Sequence, residues 1–142
     1  MRALLDVNVL IALLDPDHVS HAAAQRWWLE HREAGWASCP LTQNGCVRII
    51  SQPGYPNPQS VTSVLELLVD LCADPCHQFW PDDASLLDVG RFSHAHIYGH
   101  RQLTDLYLLG LAVGHGGRLV TFDEKIPLSA VHGAKRQHLL VF

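Results

Sequence analysis

Short apolar segments that end in an acidic residue restrict the fold of this sequence more than any other feature. Residues 2–6 are apolar in the middle and end in Asp6, and residues 118–122 are followed directly by Asp123. Segments of this length and composition are typical of strands buried on both faces of a sheet. Because longer helical segments alternate with them, the sequence predicts an α/β fold, a three-layer α/β/α sandwich with a mostly parallel central sheet.

The predicted elements follow one another along the whole chain. Asn8 is expected to cap the first helix and Thr104 the last. The proline-rich stretch at 52–58 and the polar stretch at 91–102 are expected to be loops. Helices are predicted over residues 9–14, 18–33, 40–51, 60–72, 82–91 and 105–113, and strands over residues 2–6, 36–39, 77–80, 118–122 and 138–142.

Length and composition indicate one ordered domain over residues 1–142. The chain has 48% hydrophobic and 17% charged residues, which is a globular composition. Its net charge of −4 differs from the positive net charge of many nucleic-acid-binding proteins. That charge leaves nucleic-acid binding open, because binding depends on the local field.

Nothing in the sequence suggests a membrane segment. Asp6 interrupts the N-terminal apolar run before a signal sequence could form, and residues 103–113 are too short to span a bilayer. We therefore expect a soluble cytoplasmic protein with no membrane partner. In a reducing compartment the four cysteines are expected to be free thiols.

Three separated aspartates are the candidate catalytic and metal-binding residues. Asp6 and Asp123 follow two predicted strands, and Asp105 opens a predicted helix just before the second of them. Ligand sites of parallel α/β sheets lie outside the carboxyl ends of the strands. Three carboxylates gathered there would repel one another, and a hard cation such as Mg²⁺ or Mn²⁺ would relieve the repulsion.

Each aspartate also has a simpler interpretation when taken alone. Asp6 could cap a helix, Asp105 could favour a helix dipole, and Asp123 could begin a turn. Their common position at one sheet edge favours the metal site.

Several motifs, in order, resemble PIN-domain nucleases. Residues 4–11 (LLDVNVLI) look like the opening motif of that family, and residues 103–109 followed by 119–123 resemble its closing pair. Residues 39–45 with Arg48 look like the middle motif of VapC toxins, which come from toxin–antitoxin operons.

The resemblance implies a PIN fold with a Mg²⁺ centre, or Mn²⁺ as its substitute, that hydrolyses RNA phosphodiester bonds. Asp6, Asp105 and Asp123 would form the acidic site, with Asp6 and Asp105 as direct metal ligands. Asp123 would bind the metal directly or through water. The resemblance also implies a homodimer and an antitoxin that holds the toxin inactive.

Gln43 is the main departure from the family pattern, which usually has glutamate at this position. An amide offers a carbonyl oxygen but no negative charge. We therefore expect Gln43 to be a weak or indirect site contact, and a one-metal site is a reasonable hypothesis. A second hypothesis is a catalytically weak PIN-type module that binds RNA or a protein partner.

A strip of basic and aromatic residues before Asp105 is a candidate RNA-binding surface. Such residues hold phosphates and stack on bases. A solvated loop and a zinc-binding histidine cluster are the alternatives. With Arg48 of the middle motif, the candidate RNA contacts are Arg91, His94, His96, Tyr98, His100 and Arg101.

A phosphotransfer domain is a third hypothesis, because such domains also have an aspartate after the first strand. A receiver domain needs an acidic neighbour near that strand end, and a haloacid-dehalogenase-like phosphatase needs a second aspartate two residues on. This chain has Asn8 at that position, so the pattern disfavours both.

Overall fold

A five-stranded parallel sheet forms the centre of the computed structural model, which describes all 142 residues. Its strands are short and mostly apolar. They are β1 (Ala3–Leu5), β2 (Trp36–Ser38), β3 (His77–Phe79), β4 (Arg118–Thr121) and β5 (Leu139–Val141). They lie in the order β3-β2-β1-β4-β5, and every neighbouring pair is parallel.

Five α-helices connect and cover the strands. They are α1 (Val7–Leu14), α2 (His21–His31), α3 (Pro40–Ile50), α4 (Val61–Cys72) and α5 (Leu103–Gly114). Short 3₁₀ turns occur before α5 and between the last strands. None of the helices combines the length and the apolar character that a membrane crossing requires.

The strands place alternate side chains in two separate cores. Leu4 and Leu119 pack on one face of the sheet, in the core that includes α5. Leu5 and Val120 pack on the opposite face, where α1 to α4 lie. Because side chains of a strand alternate between its faces, both faces need apolar residues, which explains the continuous apolar runs. The predicted α/β/α arrangement with a parallel sheet is confirmed.

The strand order reverses direction at β1. From β1 the chain adds β2 and then β3 on one side, and later places β4 and β5 on the other side. A crevice forms outside the carboxyl ends of strands at such a switch point. The residues that follow β1 and β4 are therefore brought to the same edge of the sheet.

The helix predicted over residues 82–91 is wrong. This region forms irregular turns, and Leu87 is 83% exposed. Short polar side chains bond to the local backbone instead: Ser85 Oγ accepts from Leu87 N at 3.2 Å, and Asp88 Oδ1 accepts from Gly90 N at 2.9 Å. Such local bonds compete with helical hydrogen bonding, and the apolar spacing of the segment did not reveal them.

The predicted caps Asn8 and Thr104 are also wrong. α1 begins at Val7 with Asp6 as its N-cap, so Asn8 lies inside the first turn. α5 begins at Leu103 after a 3₁₀ turn, so Thr104 lies inside that helix. The consequence for α5 is that Asp105 occupies the third position of the helix.

Gly110 is required where α5 crosses the ring of Phe92. A Cβ added at Gly110 would lie 2.5 Å from two ring carbons, and Phe92 is fully buried. We expect Gly110→Ala to lower the free energy of unfolding by about 1–2 kcal/mol, because overpacking outweighs the better helix propensity of alanine. Urea denaturation would measure this. Gly99→Ala is the control, since nothing lies within 4 Å of its added Cβ, and equal stability of the two variants would contradict the prediction.

Candidate active site

Asp6 is buried at the junction between β1 and α1. Its side chain is held by two hydrogen bonds: Oδ1 accepts from Val7 N at 2.7 Å, and Oδ2 accepts from the Thr121 hydroxyl at 2.7 Å. Burial raises the pKa of Asp6 above its ordinary value, while these two bonds oppose the rise. The carboxylate is therefore fixed in position in a site that penalises its charge.

Asp105 and Asp123 form an interacting pair beside Asp6. The pKa of Asp105 is raised to about 7, by burial first, then by hydrogen bonding to Asp123 and by the charges of Asp6 and Asp123. The pKa of Asp123 is lowered, mainly because its Oδ1 accepts from Lys125 N at 2.8 Å. Protonation of the pair is therefore favoured at Asp105 rather than at Asp123.

Thr121 connects the two acidic positions that follow the central strands. Its hydroxyl donates to Asp6 and also accepts from Asp123 N at 3.0 Å. Thr121 is fully buried at the end of β4. A single side chain thus fixes the Asp6 carboxylate and the backbone that carries Asp123.

A crevice of about 290 Å³ opens beside Asp6 and Asp105. Its walls come from the first turns of α1 and α5 and from one face of α3. α3 approaches α1 closely at Gly45, where an added Cβ would lie 2.9 Å from Val7. The other lining residues are Asn8, Leu41, Asn44, Arg48, Ile49 and Thr104.

Gln43 lies in a different cleft. Its amide donates to Ser38 Oγ at 2.9 Å, and the same hydroxyl lies 2.8 Å from His77 Nε2. Together with residues of α4 such as Leu65, it lines the space between α3 and α4. The amide therefore ties α3 to the ends of β2 and β3.

The candidate RNA contacts are divided between several places. Arg48 lines the crevice. The guanidinium of Arg91 packs against Gly114, at the far end of α5 from Asp105, a separation of about 13 Å along the helix axis. The structure therefore does not bring Arg91 to the crevice.

The other candidate contacts lie in the segment that leads into α5, and none of them lines the crevice. His94 Nε2 lies 2.8 Å from Leu86 O, and His96 Nδ1 lies 2.6 Å from Ser93 Oγ. The remaining ones, which are all exposed, are Tyr98, His100 and Arg101.

Two crevice residues, Asn8 and Asn44, are not predicted as site residues. The sequence pattern predicts Asn8 as a helix cap, and Asn44 lies inside the middle motif without a role of its own. The spacing of Leu41, Asn44 and Arg48 at i, i+3 and i+7 on a helix is the signal that places them on one face. Thr121, two residues before Asp123, was missed because its hydrogen bond to Asp6 is a tertiary contact.

The donor set of the crevice fits a hard divalent cation in charge and atom type. Neither Asp6 nor Asp105 forms an ion pair with a cationic side chain. Carboxylate oxygens are the ligands that Mg²⁺ and Mn²⁺ prefer. No three histidine, cysteine, aspartate or glutamate side chains of the protein are grouped so that they could hold a metal ion together.

The PIN domain family model matches residues 3–131 of the chain. This chain belongs to the PIN domain family. All three aspartates, Asp6, Asp105 and Asp123, lie within the matched residues.

Curated relatives extend over nearly the whole PIN domain. Ribonuclease VapC44 of Mycobacterium tuberculosis is 53% identical over 139 residues, which cover 98% of this chain and 98% of that protein. Ribonuclease VapC39 of the same organism is 43% identical over 134 residues, covering 94% of this chain and 96% of the relative.

Two solved structures share the fold at low sequence identity. VapBC2 from Rickettsia felis, bound to a DNA fragment from its promoter, has a TM-score of 0.61 at 12% identity, covering 100% of this chain and 98% of that one. VapC20 of Mycobacterium tuberculosis, a sarcin–ricin loop cleaving toxin, has a TM-score of 0.61 at 11% identity, covering 87% of this chain and 91% of that one.

Replacing Thr121 should change the ionisation of Asp6. Thr121→Val removes a donor to the carboxylate, and we expect the pKa of Asp6 to rise because that bond stabilises its charged form. We also expect the free energy of unfolding to fall by about 1–3 kcal/mol. NMR titration of the aspartate carboxyl carbons and urea denaturation would measure both effects. Thr121→Ser keeps the hydroxyl and is the control; an unchanged Asp6 titration in the valine variant would contradict the expectation.

Removing the charge of Asp105 should stabilise the metal-free protein at neutral pH. The folded-state pKa of about 7 lies above the ordinary value of 3.8, so stability falls as the pH rises from about 4 through 7. Asp105→Asn cannot ionise. We expect it to be more stable than the wild type by about 1–2 kcal/mol above pH 7, with little difference at pH 4.

Thermal and urea unfolding in EDTA across this pH range would test the Asp105 prediction. Asp70→Asn removes the same charge from an exposed position of α4 and should leave the pH dependence unchanged. If Asp105→Asn loses stability with rising pH as steeply as the wild type, Asp105 does not carry the titration.

Proposed function

We propose that this PIN domain is a cytoplasmic, metal-dependent endoribonuclease and the toxin of a toxin–antitoxin pair. The position of Asp6 and Asp105 in the wall of one crevice, with Asp123 beside Asp105, carries the proposal. Relatives named ribonuclease at 53% and 43% identity support the reaction class. The expected substrate is RNA, and the reaction is hydrolysis of a phosphodiester bond.

Asp6 and Asp105 would hold the metal ion, Mg²⁺ or Mn²⁺, with Asp123 as a direct or water-mediated third partner. Such an ion supplies a water of lowered pKa and neutralises charge on the phosphoryl oxygens. Thr121 and Val7 N keep the Asp6 carboxylate in one orientation before substrate arrives. The neighbouring carboxylates raise the pKa of Asp105, and a bound cation would lower that pKa by balancing their charge.

The number of metal ions is proposed to be one. Gln43 has no charge, and its amide is engaged by Ser38 rather than lining the crevice. Fewer carboxylates favour weaker binding of a second ion. Calorimetric titration of Mg²⁺ without RNA would contradict this part of the proposal if it gave two tight sites.

RNA is proposed to reach the carboxylates across the start of α5 and the exposed face of α3. Arg48 lines the crevice itself. The segment leading into α5 adds exposed His100 and Arg101, and exposed Tyr98 offers a ring for base stacking. Arg91 is not part of this proposed surface, because its guanidinium packs at the other end of α5.

An antitoxin protein is the proposed regulatory partner, and a homodimer is the proposed assembly. The structural neighbour from Rickettsia felis is a VapBC complex, which pairs a toxin with its antitoxin. We infer that an antitoxin of this chain would act by covering the acidic crevice.

Asp6→Asn tests the nuclease proposal. With Mn²⁺ and single-stranded RNA, we expect the wild type to cleave and the variant to lose about 100-fold or more of the rate, because a buried ligand charge is removed. Gel analysis of labelled RNA would measure the rates, with Asp70→Asn as the charge-matched control. Cleavage that survives Asp6→Asn and Asp105→Asn would exclude this site. A wild type that binds RNA without cleaving it would instead support the alternative of a weak binding module.

A further inference from the structure

The face of α3 that borders the crevice carries polar groups that no part of the protein uses. We propose that Asn44 and Arg48, with Asn8 of α1, form a subsite for one unpaired RNA nucleotide beside the carboxylates. Arg48 binds a phosphate of the chain, and Asn44 reads the edge of the base. The choice of RNA as ligand rests on the proposed function, whereas the subsite itself rests on the geometry of this crevice.

The backbone brings the three side chains to one opening. Asn44 and Arg48 are one helical turn apart on α3, on the same side of that helix. Asn8 lies in the first turn of α1, two residues after the Asp6 cap. The close contact of Gly45 with Val7 draws α3 against this turn. All three side chains line the same crevice as Asp6 and Asp105.

These polar groups are free to bind a ligand. The side chains of Asn8, Asn44 and Arg48 are exposed, and none of them takes part in the side-chain hydrogen bonds of the protein. Its two ion pairs join Arg32 to Asp74 and His115 to Asp83. The neighbouring amide of Gln43, in contrast, is already bonded to Ser38.

Arg48 supplies the attraction that an acidic crevice lacks. It is the one basic residue among the ten that line the crevice. It forms no ion pair with the carboxylates, because the two ion pairs of the protein involve other residues. The guanidinium therefore keeps its donors for an anion, and a planar fork of N–H groups suits a phosphate.

The size and the apolar walls of the crevice fit a single nucleotide. Its volume of about 290 Å³ lies at the small end of ligand pockets. Val7, Leu41 and Ile49 give it apolar surface for a base. A duplex cannot enter such a space, so the substrate must present an unpaired nucleotide in a loop, a bulge or a single strand.

Asn44 and Arg48 divide recognition between base and backbone. An asparagine amide offers one acceptor and two donors, so its fit depends on the hydrogen-bonding edge of the base. A guanidinium on a phosphate carries no sequence information. Asn44 thus sets base preference, and Arg48 sets affinity for any sequence.

RNA binding by an inactive protein tests the subsite apart from catalysis. The full chain carrying Asp6→Asn, with Mg²⁺, would be titrated onto fluorescein-labelled single-stranded RNAs that differ at one base, by fluorescence anisotropy at several salt concentrations. Arg48→Gln, Arg48→Lys and Asn44→Ala would be added to this background. Arg26→Gln and Gln25→Ala, two exposed positions of α2, are the matched controls.

We expect Arg48→Gln to weaken binding about tenfold for every RNA and to reduce the slope of log affinity against log salt by about one. Arg48→Lys should keep most of that slope. Asn44→Ala should narrow the affinity ratio between the best and the worst base by about fivefold or more. The two controls on α2 should bind like their parent.

The outcomes separate this proposal from the nuclease proposal. If Arg48→Gln and Asn44→Ala bind like the α2 controls, the subsite is wrong, even when the wild type cleaves RNA with Mn²⁺. If binding depends on Arg48 and Asn44 while the wild type cleaves nothing, the subsite stands and the nuclease proposal falls. Circular dichroism of each variant would show that the fold is retained.

Discussion

The parallel pairing of β1 with β4 is the constraint on which the rest of the site depends. Leu5 lies opposite Val120, and Asp6 N continues the ladder by donating to Val120 O at 3.0 Å. Because parallel strands end at the same edge, this register brings Thr121 within hydrogen-bond distance of the Asp6 carboxylate. The same register fixes the start of the turn that carries Asp123.

This arrangement leaves the carboxylates of Asp6 and Asp105 without an ion-pair partner. Burial and neighbouring carboxylates raise the pKa of Asp105 to about 7, and the opposite shift of Asp123 comes from its hydrogen bonds. A divalent cation bound there would balance this charge. The crevice thereby has carboxylates that repel one another on the strand side and unpaired donors, Asn44 and Arg48, on the α3 side.

The strongly apolar segments allowed the strands to be predicted correctly. Local polar contacts could not be predicted from the sequence. The buried strands were readable because Leu4 has apolar neighbours on both sides and Leu119 is followed by Val120. The segment around Leu87 has helical apolar spacing, but hydrogen bonds of Ser85 and Asp88 to the backbone hold it in turns. The direction of Gln43 was likewise unreadable, since it depends on a bond to Ser38 from another element.

The sequence by itself determined the fold class and the position of the acids, because apolar runs ending in aspartate impose strands whose carboxyl ends share an edge. Asp6 and Asp123 were predicted as site residues on that basis, and Asp105 from its place at the start of the last helix. Only the tertiary structure decided which side chains border them. Thr121 joins the site through strand register, Asn44 enters it through the close packing of α3 on α1, and Arg91 is removed from it by the length of α5. These contacts link residues far apart in the chain, so no local pattern encodes them.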